Sequence, residues 1–392
     1  MAKINSTDCV HAGVERNHTE GSVTPPIVHS APFSFSSTKE LRDFMEGRSV
    51  RRQPEYGRMG NPTVACVEKR LAALEGAEQV RLFGSGMAAV TTLFLWFLKS
   101  GDRLILTSDS YRRTRDFGVL LNKFGVELDL VAPNMDAIEA AIRPETRLIF
   151  SEIPTNPYLR VLDVRRLVHM AHSKGILTII DSTFATPVNF RPLDIGADLV
   201  THSATKYLGG HNDLIAGVVA GRAELVEPVS EFLMTLGGIC DPNTAFMLER
   251  GLKTLELRVQ RHNTNGRQVA EFLESRPEIE RVFYPGLPSH PDFSLARDLM
   301  TGFGGVVTFL VKGGFENTAT FVDRLHIPRL APSLGGVESL VDHVALMSFW
   351  ELSREQREAY GIHDNLVRLA VGIEDPVDLV ADLEQALSSP AR

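Results

Sequence analysis

Between residues 79 and 220 the chain repeats one alternation, a short apolar run, a turn and a segment of helical spacing. The runs fall at 79–83, 103–107, 126–131, 146–152, 175–181, 197–201 and 214–220, with helical patterns at 114–124 and 135–142 among them. Apolar runs of four to eight residues bounded by turn formers predict buried strands, and their alternation with helices predicts an α/β fold. The same pattern says where chemistry belongs, because open α/β sheets place ligands beyond the carboxyl ends of their strands.

Two strand ends carry reactive side chains. The stretch Ser203-Ala204-Thr205-Lys206 follows the run 197–201 and precedes the run 214–220. A lysine attacks carbonyls only when neutral, so an amine on a rigid, partly apolar element among hydroxyls reads as a Schiff-base former. Ser203 and Thr205 can then donate to phosphate oxygens, and pyridoxal 5′-phosphate (PLP) carries both an aldehyde and a phosphate. The plainer reading of such a short motif is a surface lysine at a strand end. Asp181, at the end of the run 175–181, shifts the balance. A carboxylate there can hydrogen-bond a pyridine nitrogen and keep it protonated, so the ring accepts the electron pair released when a Cα bond breaks. Its alternative role is to cap the next segment.

A third strand end, Gly84-Ser85-Gly86-Met87, opens an Ala-rich helix whose first N–H groups form an anion site. It could also begin a dinucleotide fingerprint, but Ala89 stands where the third glycine belongs and no acid ends a strand about twenty residues on. Asn156 projects from the proline turn 153–157. A net charge of −8 gives no support for nucleic-acid binding. Cys9, Cys66 and Cys240 are widely spaced and odd in number, which indicates neither a disulfide framework nor a zinc cluster. The first residues lack an apolar signal region and the longest apolar stretch, 87–98, is too short to span a bilayer, so the expectation is a soluble, cytoplasmic protein.

At 392 residues the chain suggests more than one domain. Residues 1–60, with Pro25, Pro26, Pro32 and Pro54, read as an extended arm with one short helix at 38–46; Asn61-Pro62 starts a helix at 64–74. Residues 61–250 read as the large domain. The stretch 242–276 reads as one kinked or paired helix, and residues 251–392 as a second α/β domain with strands at 279–283, 305–311 and 370–372.

Eight motifs in one order span nearly the whole chain: Tyr56-Gly57-Arg58, Gly84-Ser85-Gly86-Met87, Tyr111, Pro154-Thr155-Asn156-Pro157, Asp181-Ser182-Thr183, Ser203-Ala204-Thr205-Lys206, Ala331-Pro332-Ser333-Leu334-Gly335-Gly336 and Asn365-Leu366-Val367-Arg368. Together they resemble the PLP-dependent enzymes of Cys/Met metabolism. Within that family the segments 110–115 and 360–368 most resemble the cystathionine γ-synthases of plant type. The resemblance implies an aspartate aminotransferase-like PLP transferase fold (fold type I), a large mixed-sheet cofactor domain and a smaller C-terminal α/β domain. It implies that Lys206 holds PLP and then moves protons, that Asp181 pairs with the pyridine nitrogen and that Tyr111 stacks on the ring. Gly86, Met87, Ser203 and Thr205 would bind the phosphate, with Asn156 and Thr183 also at the cofactor. Tyr56 and Arg58 would reach into a neighbouring subunit's site, in a homotetramer built as a dimer of dimers. Ser333 and Arg368 would meet the substrate α-carboxylate, and Arg113 the leaving group.

The implied reaction is γ-replacement, joining an O-phospho-, O-succinyl- or O-acetylhomoserine to cysteine to give cystathionine. The runner-up is a γ-lyase that releases a 2-oxo acid and ammonia from a nearly identical site. Two other classes compete, a nicotinamide oxidoreductase resting on the Gly84 turn and an inactive binding protein, the latter disfavoured by the presence of Lys206, Asp181 and Arg368.

Overall fold

A computed structural model describes residues 3–15, 18, 21–49 and 54–388. Among them, seven strands form one sheet: β1 (Gln79–Phe83), β2 (Arg103–Thr107), β3 (Glu127–Val131), β4 (Thr146–Glu152), β5 (Leu177–Asp181), β6 (Leu199–Ser203) and β7 (Gly217–Gly221), in the order β1-β7-β6-β5-β4-β2-β3. β2 to β6 run parallel to one another, while β7 runs antiparallel to both β1 and β6. The strands are apolar on both faces because both faces are covered. Ile105 and Ile149 pack with Leu167 and Val168 of the helix Val164–Ser173. Their neighbours Leu104, Leu106 and Phe150 point the other way, onto Leu93 and Phe94 of the helix Gly86–Phe97 and Val229 and Leu233 of the helix Ala223–Leu236. Each such fully buried side chain contributes about 1.5–3 kcal/mol relative to exposure.

A second sheet of five strands, in the order β10-β11-β12-β9-β8, comprises β8 (Ile279–Phe283), β9 (Val306–Val311), β10 (Arg329–Leu330), β11 (Leu340–His343) and β12 (Leu366–Ala370). The strand expected at 370–372 lies instead at Leu366–Ala370, with all five residues buried. Arg368 at its centre breaks the apolar run, and only an ion partner in the fold makes a buried guanidinium tolerable there. β10 and β11 were not anticipated: the first has two exposed residues, and the second carries Asp342 and His343.

Among the helices, Pro62–Glu75 starts as expected, Asn61 accepting from the amides of Thr63 (2.8 Å) and Val64 (3.4 Å) with Pro62 in the first position. The stretch 242–276 is two helices, Pro242–Leu252 and Leu255–Glu274. The segment expected as a helix at 114–124 starts earlier, at Arg112, ends at Leu120 and continues as a 3₁₀ turn over Leu121–Phe124. Its cationic first turn hides the periodicity that would have marked its start. Before residue 60, the helix Thr38–Met45 is present, and a further helix, Ser6–His11, is closed by reciprocal bonds between Asn5 and Asp8. Among the described residues no helix is long and apolar enough to cross a membrane.

Candidate active site

The carboxyl ends of β4, β5 and β6 lie side by side, Glu152 opposite Asp181 and Asp181 opposite Thr201. Three residues past β6, Lys206 sits in a turn closed by its own amide on the Ser203 carbonyl (3.1 Å) and by the Gly210 amide on the Lys206 carbonyl (2.8 Å). Its Nζ donates to Ser333 Oγ at 2.7 Å. Burial, and secondarily the Arg368 guanidinium, push the Lys206 amine down to about 8, so far more of it is neutral near neutral pH than of a solvated lysine. Ser333 has φ 111°, a conformation that costs a non-glycine residue on the order of 1–3 kcal/mol and tends to be retained where a side chain must be aimed.

Asp181 Oδ1 accepts the Thr183 amide at 2.9 Å, and the Thr183 hydroxyl accepts the Ser203 amide at 2.8 Å, tying β5 to β6. Burial raises the Asp181 carboxyl above its ordinary range. Beside it, Glu152 accepts the amide of Tyr111 and is raised well above its usual range, first by burial and then by Asp181. Two buried carboxyl groups in adjacent register cannot both ionise cheaply. A protonated pyridine nitrogen delivered to Asp181 would supply the missing positive charge. On β6, His202 is buried against Glu75, Nε2 to Oε1 at 2.6 Å; burial opposes its charge, but Glu75 raises it net. Sequence reasoning missed Glu152, His202 and Glu75. The acid at the end of β4 next to an acid at the end of β5 was the available signal for Glu152; nothing local pairs residue 75 with residue 202.

The helix Gly86–Phe97 begins beside this group. Ser85 caps it by accepting from Ala88, leaving the Gly86 and Met87 amides without partners among the described residues. A Cβ on Gly86 would lie 2.9 Å from Ser203 Cβ, so only glycine lets the helix start approach the Ser203 hydroxyl. The Thr205 hydroxyl is already held, accepting from the Ala216 amide at 3.1 Å. Tyr111, 49% exposed, precedes the helix Arg112–Leu120 without a side-chain capping bond, its ring half exposed.

Arg368 joins the two sheets at the site. Its guanidinium pairs with Asp342 at 2.9 Å and donates to Asn156 Oδ1 at 3.1 Å and to the Ser333 carbonyl at 3.5 Å, while its buried Nε has no partner. The three guanidinium groups beyond Tyr111 differ. Arg112 is engaged by Glu351 and the Ser348 carbonyl. Arg115 donates to the Ser108 carbonyl. Arg113 is 62% exposed at its side chain and pairs with Asp116 at 3.0 Å. Tyr56 and Arg58 make no hydrogen bond or ion pair to Lys206, Asp181 or Tyr111 of their own chain; Arg58 lies over the Tyr56 ring and donates to the Met234 carbonyl.

An amine made nucleophilic by burial, a carboxyl group lacking a counter-cation, free amides at a helix start and a half-exposed aromatic ring fit PLP atom group by atom group, and such a site on such a sheet is that of a PLP-dependent enzyme of fold type I. A model of the Cys/Met metabolism PLP-dependent enzymes matches residues 6–388, and the chain belongs to that family. It is 47% identical over 385 residues to chloroplastic cystathionine gamma-synthase 1 of Arabidopsis thaliana, covering 97% of this chain and 68% of the relative. It is 41% identical over 389 residues to cystathionine gamma-lyase of Bos taurus, covering 98% and 93%. Among solved structures, cystathionine gamma synthase from Xanthomonas oryzae pv. oryzae in complex with aminoacrylate and cysteine superposes with a TM-score of 0.91 at 38% identity, covering 98% of this chain and 97% of that one.

Proposed function

We propose that the protein catalyses γ-replacement on an anionic homoserine ester, with cysteine as the incoming thiol and cystathionine as product. The observation that carries this reading is Arg113, a largely exposed guanidinium two residues past Tyr111 in the chain and paired with the exposed Asp116 three residues on, an ion pair weak enough to yield to a substrate anion. The higher identity to a γ-synthase than to a γ-lyase supports replacement over elimination.

PLP, when bound, supplies the electron sink for the pair released at Cα. The chain's own groups do the rest. Arg368, oriented by Asp342 and Asn156, receives the substrate α-carboxylate. Lys206, freed beside the substrate, takes a proton from Cα, releases it to water, and as a neutral amine again takes one from Cβ, so that the Cγ–O bond breaks and the ester group leaves as its anion. The cysteine sulfur then bonds to Cγ as its proton is released, and Cβ and Cα each regain a proton. Ser333, accepting from Lys206 Nζ, fixes the amine's position between these transfers. Incubation with O-phospho-, O-succinyl- and O-acetylhomoserine, with and without cysteine, tests the reading by product mass. Cystathionine should form best from the phosphate ester; a 2-oxo acid as the main product in the presence of cysteine would establish the lyase instead.

Arg113→Met should lower kcat/KM for O-phosphohomoserine by about 1.5–3 kcal/mol, the worth of a hydrogen bond to a charged group, and leave O-acetylhomoserine nearly unchanged. Equal losses on both esters would assign Arg113 to the helix alone. Tyr56 and Arg58, turned away from their own chain's site, complete the reading if each serves a second copy in a homotetramer of paired chains. On that reading Arg58→Ala loses PLP more readily, and mixing it with Lys206→Ala restores part of the activity, since a hybrid pair contains one intact site. No recovery after verified subunit exchange would show that each chain carries a complete site.

A further inference from the structure

Lys206 is held by more than its own turn. Tyr207, the next residue, is 2% exposed, and its side chain enters the seam between the two sheets. The hydroxyl accepts the Gly305 amide at 2.9 Å, just ahead of β9, and the ring meets His262 edge to face at 5.0 Å. Its backbone carbonyl accepts from Arg258 at 2.7 Å, and the same guanidinium donates to the Gly251 carbonyl at 2.7 Å. On the other side, a Cβ on Gly335 would lie 2.6 Å from the Tyr207 nitrogen and 2.8 Å from its ring, so only glycine lets the segment that carries Ser333 pack this closely against the residue after Lys206. The ring is therefore set between the lysine turn, the Ser333 segment and the start of β9.

The turn at Gly304 and Gly305 gathers the other half of the site as well. The Gly304 amide donates to Asn263 Oδ1 at 2.7 Å, and Asn263 exchanges side-chain hydrogen bonds of 2.9 Å each way with Asn189, in the segment that follows Asp181. The Gly304 carbonyl accepts the Tyr284 hydroxyl at 3.0 Å. Asp181 and Lys206, which must hold opposite ends of one cofactor, are thus both tied to a single two-residue turn of the second sheet. A phenylalanine at 207 would fill the same space. What it would lack is the hydroxyl, and with it the tie from that turn to the lysine.

We infer that Tyr207 is a positioning residue for Lys206: its hydroxyl, fixed on the Gly305 amide, sets the lysine turn against the Ser333 segment and so aims Nζ. This role presupposes Lys206 as the reacting amine. The charged group that bears on that amine is Arg368, itself paired with Asp342. The groups around Tyr207 keep one protonation state near neutral pH, since burial lifts the Tyr207 phenol to about 12, raises that of Tyr284 too, lowers His262 to about 4 and leaves Arg258 at about 10. A pH profile between about 6.5 and 9 therefore follows the Lys206 amine and not its supports.

The test compares Tyr207→Phe with Tyr284→Phe, which frees the other side of the same turn and bonds to nothing in the lysine segment. In the PLP-loaded enzyme, Tyr207→Phe should lower kcat at least about tenfold on the homoserine ester that the wild type turns over best, with KM changed less than about threefold, because a displaced base costs turnover and not binding. Stripped of PLP, the same variant should recapture it with a pH midpoint raised by about half a unit or more, as a less buried amine returns toward its ordinary value. Tyr284→Phe should keep the wild-type kcat and midpoint, whatever it loses in Tm. If circular dichroism shows Tyr207→Phe unfolded, Arg258→Lys takes its place: one ammonium for two carbonyls loosens Tyr207 from its backbone side, and the same two shifts are expected. A wild-type kcat and midpoint in the folded variant, or equal shifts in Tyr207→Phe and Tyr284→Phe, would overturn the positioning role. Turnover by Lys206→Ala would instead remove the role of the lysine, and that of Tyr207 with it.

Discussion

Lys206→Ala should leave a folded protein without measurable turnover. The proton transfers proposed for it alone account for about 10²–10⁴-fold in rate, and the same substitution removes the amine proposed to tether the cofactor. Ser203, Thr205, Asp181 and the start of the helix Gly86–Phe97 remain, so the variant should still take up PLP, released on denaturation even after borohydride treatment because no lysine holds it covalently. Substantial activity at saturating PLP would remove Lys206 from the mechanism. The pH dependence of cofactor capture by the wild-type apoenzyme is a companion measurement. Burial lowers the amine from its ordinary value to about 8, and only the neutral form attacks an aldehyde. The capture rate should therefore rise with pH and level off above about 8, with roughly a quarter of the amine neutral at pH 7.5 against about 0.1% for a solvated lysine.

Arg368→Ala should reduce kcat/KM by about 2–5 kcal/mol, the usual cost of truncating one partner of a buried, hydrogen-bonded charge pair. Two effects enter, and a second substitution separates them. Asp342, already raised by its burial, loses its counter-ion at 2.9 Å, which lowers stability. Arg368→Ala combined with Asp342→Asn relieves the stranded charge and should recover thermal stability without recovering substrate affinity. If the double variant regained both, Arg368 would be a structural residue of the second sheet and the α-carboxylate anchor would have to be sought elsewhere. An unchanged KM in the single variant would likewise remove Arg368 from substrate binding.

The large sheet and its strand-end residues were legible because they obey local rules. β1, β2 and β4 have the bounds that their apolar runs predict, and Asp181, Lys206 and the Gly86 turn are found at strand ends or helix starts where open sheets expose side chains. What escaped depends on contacts between distant segments. Lys206 meets Ser333 across 127 residues, and Arg368 meets Asn156 across 212. No spacing rule yields either. Arg368 also misled the strand assignment: a charge in an apolar run reads as a strand boundary unless its partner, Asp342 on the neighbouring strand, is known. The three arginines after Tyr111 are alike in sequence and unlike in the fold, because Glu351 and Ser348 claim Arg112 and Ser108 claims Arg115.

The adjacency of Glu152, Asp181 and Thr201 at one edge of the sheet bears on how enzymes of this kind can diverge. Inside a strand, one inserted or deleted residue turns every later side chain to the opposite face; such a change in β5 would take Asp181 out of its place beside Glu152. Beyond the strand ends the chain can lengthen, shorten or change composition at little cost to the sheet. Changes of length are therefore tolerated past the strand ends more readily than inside β4, β5 or β6, where the acids and the lysine's strand are fixed by register. A fold and its strand-end residues alone therefore do not decide between joining and cleaving.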